Sequence, residues 1–391
     1  MDAWGPLAPR FGKPAAVRRL LALDGGGIRG IITLQVLLEL ETQLRASMRR
    51  GPDFRLCDAF DYIAGTSTGA IIAAGLARGK SVEELIGFYR ETGPLMFDKR
   101  CLLARYKSLY RNEPLAEQLR VVFGAETDLS PQHLRSLLLV VTRNASTDSA
   151  WPVSSNPLAK YNDVARKDCN LKIPLWQLVR ASTAAPIFFP PEVLPWDDSD
   201  PAKTFLFQDG GMTPYNNPAF LLYRMATLPE YRLRWATGED ALMLVSVGTG
   251  TAPAIDGDVA NPGRNIGSTL MDLPSSLMSG SKADQDISCR MVGRCVHGAP
   301  IDRELGDLIP RDEREERVPL DRGLGRAFLY ARYDADLTPA GLQKLGLGGL
   351  DPARVASLDA IDALDEMSHV GKAVAREIRV SDFGALVGPT A

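Results

Sequence analysis

The stretch 60–74, FDYIAGTSTGAIIAA, constrains the fold more than any other part of the chain. A short apolar run (Phe60, Tyr62, Ile63, Ala64) reaches Gly65-Thr66-Ser67-Thr68-Gly69, and a run of Ala and Ile follows at once. That order predicts a strand, a tight turn and a buried helix. A G-x-S-x-G pattern requires this setting: the serine sits at a strained bend with its hydroxyl exposed, while Gly65 and Gly69 let strand and helix approach closely. Ser67 is therefore a candidate nucleophile, and free N–H groups at the start of its helix would favour a developing oxyanion. The alternative is a serine that only caps a helix.

A chain of 391 residues with 45% hydrophobic content can bury a sizeable core in one large domain or two of ordinary size. Lys and Arg total 45 against 48 Asp and Glu, with no basic block, which argues against a nucleic-acid partner. The five cysteines, odd in number and scattered, suit free thiols in the reducing cytosol. Pro and Gly interrupt the first 19 residues where a signal peptide needs an apolar segment, and no later run reaches the ~20 residues of a membrane span. Membrane contact is expected to be peripheral.

Residues 1–17 read as a loose leader. Leu20 to Leu23 then predict a short strand running into Asp24-Gly25-Gly26-Gly27-Ile28-Arg29-Gly30, and Leu34, Leu37, Leu38, Leu44 and Met48 predict an amphipathic helix after it. The loop formally matches G-x-G-x-x-G. A dinucleotide site would want an acidic residue closing a second strand about 20 residues on, where this chain is still helical. Asp24 would also repel a pyrophosphate. The competing reading is a cradle of backbone N–H groups for an oxyanion, with Arg29 adding positive field; a bare glycine turn is the third. GLARGKS, from Gly75, fails as a phosphate loop because only three residues separate its glycines; Ser81 and Glu84 instead predict a capped helix over 82–92.

Further on, Pro114 to Phe123 reads as a helix and Leu137 to Val141 as a buried strand. Residues 143–172, rich in Asn, Ser, Asp and Pro, read as a long exposed connection. Phe188 and Phe189 could line an acyl pocket or pack in the core, with core packing the default expectation. Phe205 to Phe207 predicts a strand ending in Gln208-Asp209-Gly210-Gly211, which makes Asp209 a candidate carboxylate or a turn cap. A last strong strand over 241–247 delivers Gly248-Thr249-Gly250. From Thr251 to about Asp321 the composition suggests peripheral structure, the charge run 311–317 being a solvated helix face. Cys289, Cys295 and His297 lack the spacing of a metal site. Phe328, Tyr330 and Tyr333 form a strand-like patch, and a helix is expected over 358–378.

The glycine loop, Ser67 and Asp209 each fall where a predicted strand ends, and in a mostly parallel sheet those ends share one edge. A Ser-His-Asp triad would need one of the three histidines: His133 and His369 lie in amphipathic or helical contexts, and the loop-like His297 stays open as a base although nothing places it near Ser67. A Ser-Asp pair is the economical reading, provided that burial raises the Asp209 pKa enough for a base.

DGGGIRG, GTSTG and DGG, in this order and setting, with ASTAAPIFFPP and SVGTG between and after them, resemble the patatin-like phospholipase family over about residues 18–250. The resemblance implies a three-layer α/β fold with a mostly parallel central sheet flanked by helices, plus a helical C-terminal extension. It divides the chain into a leader (1–17), a catalytic domain (18–250) and a C-terminal region docked on it (251–391). It also implies a Ser67-Asp209 dyad, an oxyanion hole at Gly25, Gly26, Gly27, Ile28, Arg29 and Gly30, an elbow at Gly65 and Gly69, and Gly210 and Gly211 after the base. The third motif reads DGG where many members have DGA. The implied activity is hydrolysis of acyl esters in phospholipids or related lipids at a membrane surface, without metal or organic cofactor. Two other classes stand beside it: a nucleotide-binding module using GGGIRG, and a silent scaffold of the same fold. Some bacterial members are effectors switched on by cyclic nucleotides, but the sequence carries no recognisable sensor for such an activator.

Overall fold

Uninterrupted apolar runs suit strands covered on both faces, and the runs ahead of the glycine motifs lie at the centre of the sheet. The computed structural model describes residues 3–96, 113–197, 199–252 and 266–388. Nine strands among the described residues form one sheet: β1 (Arg18–Leu23), β2 (Tyr62–Thr66), β3 (Leu137–Asn144), β4 (Ser149–Ser154), β5 (Glu192–Pro195), β6 (Thr204–Asp209), β7 (Leu242–Val247), β8 (Arg294–His297) and β9 (Leu329–Tyr333). The order β3-β2-β1-β7-β9-β8 is parallel throughout. β4 and β6 pair antiparallel with β3, and β5 with β6.

Alternate side chains of a strand point to opposite faces. Leu21, Leu23, Ile63 and Val245 join the layer of helices Gly30–Ser47, Thr68–Ala77 and Leu364–Ala375. Leu20, Ala22, Tyr62, Ala64 and Leu244 join the helix Ala219–Thr227 on the other side. The result is a three-layer α/β fold with a mostly parallel central sheet.

Four stretches differ from expectation. The leader is docked rather than loose: Trp4, Leu7 and Phe11 are buried, and Arg10 Nε pairs with Asp61 Oδ1 at 2.9 Å. Three large apolar side chains in so short a segment are reason enough for that burial. The connection 143–172 contains β4, which pairs only with β3 among the described strands; the free outer edge tolerates Pro152. The region after Thr251 contains the helix Ile266–Val292 as well as β8 and β9, so the sheet crosses the boundary at 250. Its charge run is an exposed turn with a bridge between Arg311 and Arg317, not a helix face. The last helix is shorter than 358–378, spanning Leu364–Ala375, and packs on the helix Gly30–Ser47.

Candidate active site

β2 ends at Thr66 and the helix Thr68–Ala77 begins two residues later, so Ser67 alone makes the reversal, at φ 54° and ψ −124°. A positive φ at a non-glycine residue holds strain of about 1–3 kcal/mol. The flanking glycines are required by contact: a Cβ on Gly65 would lie 2.1 Å from Gly69 O, and one on Gly69 would lie 2.3 Å from Leu23 O.

The register of β3 brings Asp209 to this elbow. β4 occupies one edge of β3, so β2 and β6 share the other. β2 runs parallel to β3 and stops with Thr66 opposite Val141, while β6 arrives from the reverse direction and stops with Asp209 opposite Thr142. The two strands meet head to head. Convergence therefore does not come from parallel strand ends sharing one edge; β6 is antiparallel, and the neighbouring positions on β3 are what join Ser67 to Asp209.

Ser67 Oγ donates to Asp209 Oδ2 at 2.6 Å, and Gly211 N–H donates to Asp209 Oδ1 at 2.7 Å. Both side chains are buried. Burial pushes the Asp209 carboxyl up from 3.8 to about 6, against the opposing pull of the Ser67 hydroxyl, the Gly211 amide and the Arg180 guanidinium. Gly210 has no room for a side chain, since a Cβ would lie 2.2 Å from Val141 O.

Within the glycine loop, Gly25 N–H donates to Asn216 O, Ile28 N–H to Leu358 O and Arg29 N–H to Gly26 O. Those amides are committed, and Gly30 N–H lies within the helical turn, bonding to Gly27 O and Ile28 O. Of the six residues expected to form a cradle, only Gly26 and Gly27 have amides without a protein partner among the described residues. Arg29 is buried, its Nε 3.4 Å from Gly26 O, and burial pulls its pKa down to about 10. Asp24 is also buried and is held by Arg332 through Nη1–Oδ1 at 2.8 Å and Nη2–Oδ2 at 2.6 Å. Its charge is balanced, so repulsion of a pyrophosphate loses its force as an argument. Crowding replaces it: a Cβ on Gly26 would lie 2.1 Å from Thr249 Oγ1, and one on Gly27 2.3 Å from Leu358 O.

Ser67 and Asp209 open onto a cleft of about 760 Å³, part of it open to solvent, lined by Ile71, Leu115, Phe188, Phe189, Met278 and Leu358 among others. Phe189 is buried in the core as expected and Phe188 packs against it; the two readings of this pair hold together, since both side chains also line the cleft. None of the three histidines lines it. His133 Nδ1 lies 2.8 Å from Asp128 Oδ1, His369 is exposed, and His297 sits on β8 at the far edge of the sheet. No cluster of three or more His, Cys, Asp or Glu able to hold a metal occurs among the described residues.

Sequence reasoning missed the residues that support the elbow. Ser182 Oγ accepts the Ser67 N–H at 2.9 Å and donates to Val141 O at 2.6 Å, which removes the Ser67 amide from any oxyanion role. Arg180, on the same helix Leu175–Ser182, lies under the Phe189 ring and donates to Pro190 O at 3.1 Å. Thr249 and Lys282 approach the glycine loop from behind. Ser182 falls inside ASTAAPIFFPP and Thr249 inside SVGTG, but neither stretch marks these side chains as supports, and Arg180 and Lys282 belong to no motif.

The fold and site together define an α/β protein with its serine at a strand-to-helix elbow, hydrogen-bonded to a buried aspartate. A family model described as patatin-like phospholipase matches residues 21–223, more than half of the chain, and the chain belongs to that family. It is 33% identical over 210 residues to a cGAMP-activated phospholipase of Escherichia coli (strain TW11681), covering 52% of this chain and 54% of that protein. It is 32% identical over 339 residues to an intracellular phospholipase A2 of Caenorhabditis elegans, covering 84% and 27%. Against patatin-T5 of Solanum tuberosum it is 28% identical over 253 residues, covering 61% of each. The chain thus spans less than two thirds of the length of each of these relatives.

Proposed function

We propose that the protein is a serine lipid acyl hydrolase of phospholipase A type, acting at a membrane surface. The observation that carries this reading is the 2.6 Å hydrogen bond between Ser67 Oγ and Asp209 Oδ2 at an apolar cleft. Asp209 takes the proton of Ser67 as Oγ attacks the ester carbonyl carbon, and the carbonyl oxygen becomes an oxyanion held by the Gly26 and Gly27 amides. Collapse of that intermediate breaks the ester C–O bond, and Asp209 returns the proton to the leaving alkoxide. Water then attacks the acyl-enzyme with Asp209 again as base, and the fatty acid leaves. No step needs a metal or an organic cofactor.

The cleft supports an acyl chain as the bound portion, since its wall is almost wholly apolar. No helix among the described residues is long and apolar enough to cross a membrane. The test is incubation with mixed phospholipid vesicles and identification of products by mass spectrometry, with Ser67→Ala in parallel. Free fatty acid and lysophospholipid lost in the variant are expected; release that survives Ser67→Ala would sink the reading. The resemblance to a cGAMP-activated phospholipase supports a second arm, in which cGAMP is added as a candidate activator.

A further inference from the structure

Because the proposed oxyanion donors are backbone amides, their aim is set by how two peptide planes are turned. In a trans peptide the C=O and N–H point in opposite directions, so anchoring the carbonyl aims the amide. For the peptide between Gly26 and Gly27 the anchor is local: Gly26 O accepts from Arg29 N at 3.3 Å and from Arg29 Nε at 3.4 Å. For the peptide between Gly25 and Gly26 it comes from far along the chain. Gly25 O accepts from Thr249 Oγ1 at 2.9 Å, and Thr249 Oγ1 accepts from Lys282 Nζ at 3.0 Å. Thr249 is fully buried and Lys282 only 5% exposed.

We propose that Lys282 is a positioning residue for ester hydrolysis, acting through Thr249 to hold the Gly25 carbonyl and so fix the direction of the Gly26 amide. The inference rests on the Ser67-Asp209 reading above. An ammonium can only donate, so a hydroxyl touching it must accept there and send its own proton elsewhere, here to Gly25 O. The positive charge at the head of the relay polarises the hydroxyl and strengthens the next bond. Lys282 Nζ also donates to Gly250 O at 3.3 Å and lies 3.7 Å from Asp24 Oδ2, which offsets the burial of a cation. Met278, about one helical turn before Lys282, lines the cleft, so one helix carries both the wall and the relay.

The test uses the whole chain and an ester series. Thr249→Val keeps the shape and removes the hydroxyl, and Thr249→Ser restores it. Thr249→Val should lower kcat about 10- to 100-fold, a misaimed donor doing less harm than a deleted one, with KM within about twofold. Thr249→Ser should recover most of that loss. Lys282→Met should fall in the same range, and the double variant Thr249→Val with Lys282→Met should fall no further than either alone, since both act through one bond. Thermal unfolding establishes that each variant is folded; if Lys282→Met is not, the Thr249 pair decides. The proposal is overturned by wild-type kcat in folded Thr249→Val, by a change confined to KM, by Thr249→Ser failing as badly as Thr249→Val, or by multiplied losses in the double variant. Ser67→Ala separates the two levels: hydrolysis that survives it overturns both readings, whereas Ser67-dependent hydrolysis indifferent to Thr249→Val overturns only the role of Lys282.

Discussion

Replacing Asp209 by Asn should move activity and stability in opposite directions, and the size of both effects follows from one buried carboxyl. The variant keeps an oxygen for the Gly211 N–H but presents an amide donor to Ser67 Oγ, which then has no acceptor for its proton. Loss of a general base lowers turnover by about 10² to 10⁴, or about 3–5 kcal/mol of barrier. In the wild type, kcat/KM should rise with pH through about 6 as Asp209 ionises. Stability has the opposite sign. The folded carboxyl titrates at about 6 and the ordinary one at 3.8, so between these values the folded state holds a proton that the unfolded chain has released. That advantage disappears as pH rises through about 6, and above it the charged Asp209 lowers stability by up to about 3 kcal/mol, two units at about 1.4 kcal/mol each. Asn carries no such penalty. Thermal unfolding of Asp209→Asn against wild type should therefore show a gain at pH 8 that vanishes at pH 4, while ester turnover at pH 8 collapses. A variant destabilised equally at both values, or one with wild-type turnover, would refute the reasoning: Asp209 would then be a structural clamp rather than a destabilised base.

Met278→Trp should narrow the cleft wall and lower kcat/KM for long-chain esters about tenfold, with short-chain esters little changed, as read from a p-nitrophenyl ester series; equal loss on both would mean that the chain lies elsewhere. His297→Ala should leave turnover within about twofold, because this side chain pairs with Glu377 and stacks on Tyr333 at the far edge of the sheet. Abolished turnover would restore a triad.

How much was legible depends on how local each signal is. Ser67 could be read because strand, turn and helix are contiguous and two glycines mark the close approach on either side of it. Asp209 was legible as a strand end before paired glycines, but its own strand β6 runs against the direction assumed, and a pairing register cannot be read from a run as short as FLF. β4 was hidden by Pro152 and by its Ser- and Asn-rich neighbours, although an edge strand tolerates both. The glycine loop was legible as a turn between a strand and a helix but not in its detail: which of its six amides stay free depends on Asn216, Leu358 and the loop's own carbonyls. For the same reason Gly26→Ala is a poor probe of an oxyanion hole, since its Cβ would meet Thr249 at 2.1 Å and the loss would report packing.

The family match ends at residue 223, yet the loop at its beginning is held in place largely from beyond that point. Leu358 O fixes Ile28, Thr249 fixes Gly25, Lys282 backs Thr249, and Arg332 on β9 neutralises Asp24 beside the first glycine. These partners come from four separate segments, each contributing one polar group, and apart from Thr249 within SVGTG none falls in a recognisable motif. They share a physical origin. A loop that keeps two amides unpaired must satisfy its other polar groups from outside, because buried N–H and C=O groups left open cost about 1–3 kcal/mol each. Here the turn after β7 supplies Thr249, while the helix Ile266–Val292, β9 and the segment at Leu358 supply the rest from beyond residue 250, which makes the C-terminal region part of the proposed site rather than an appendage to it.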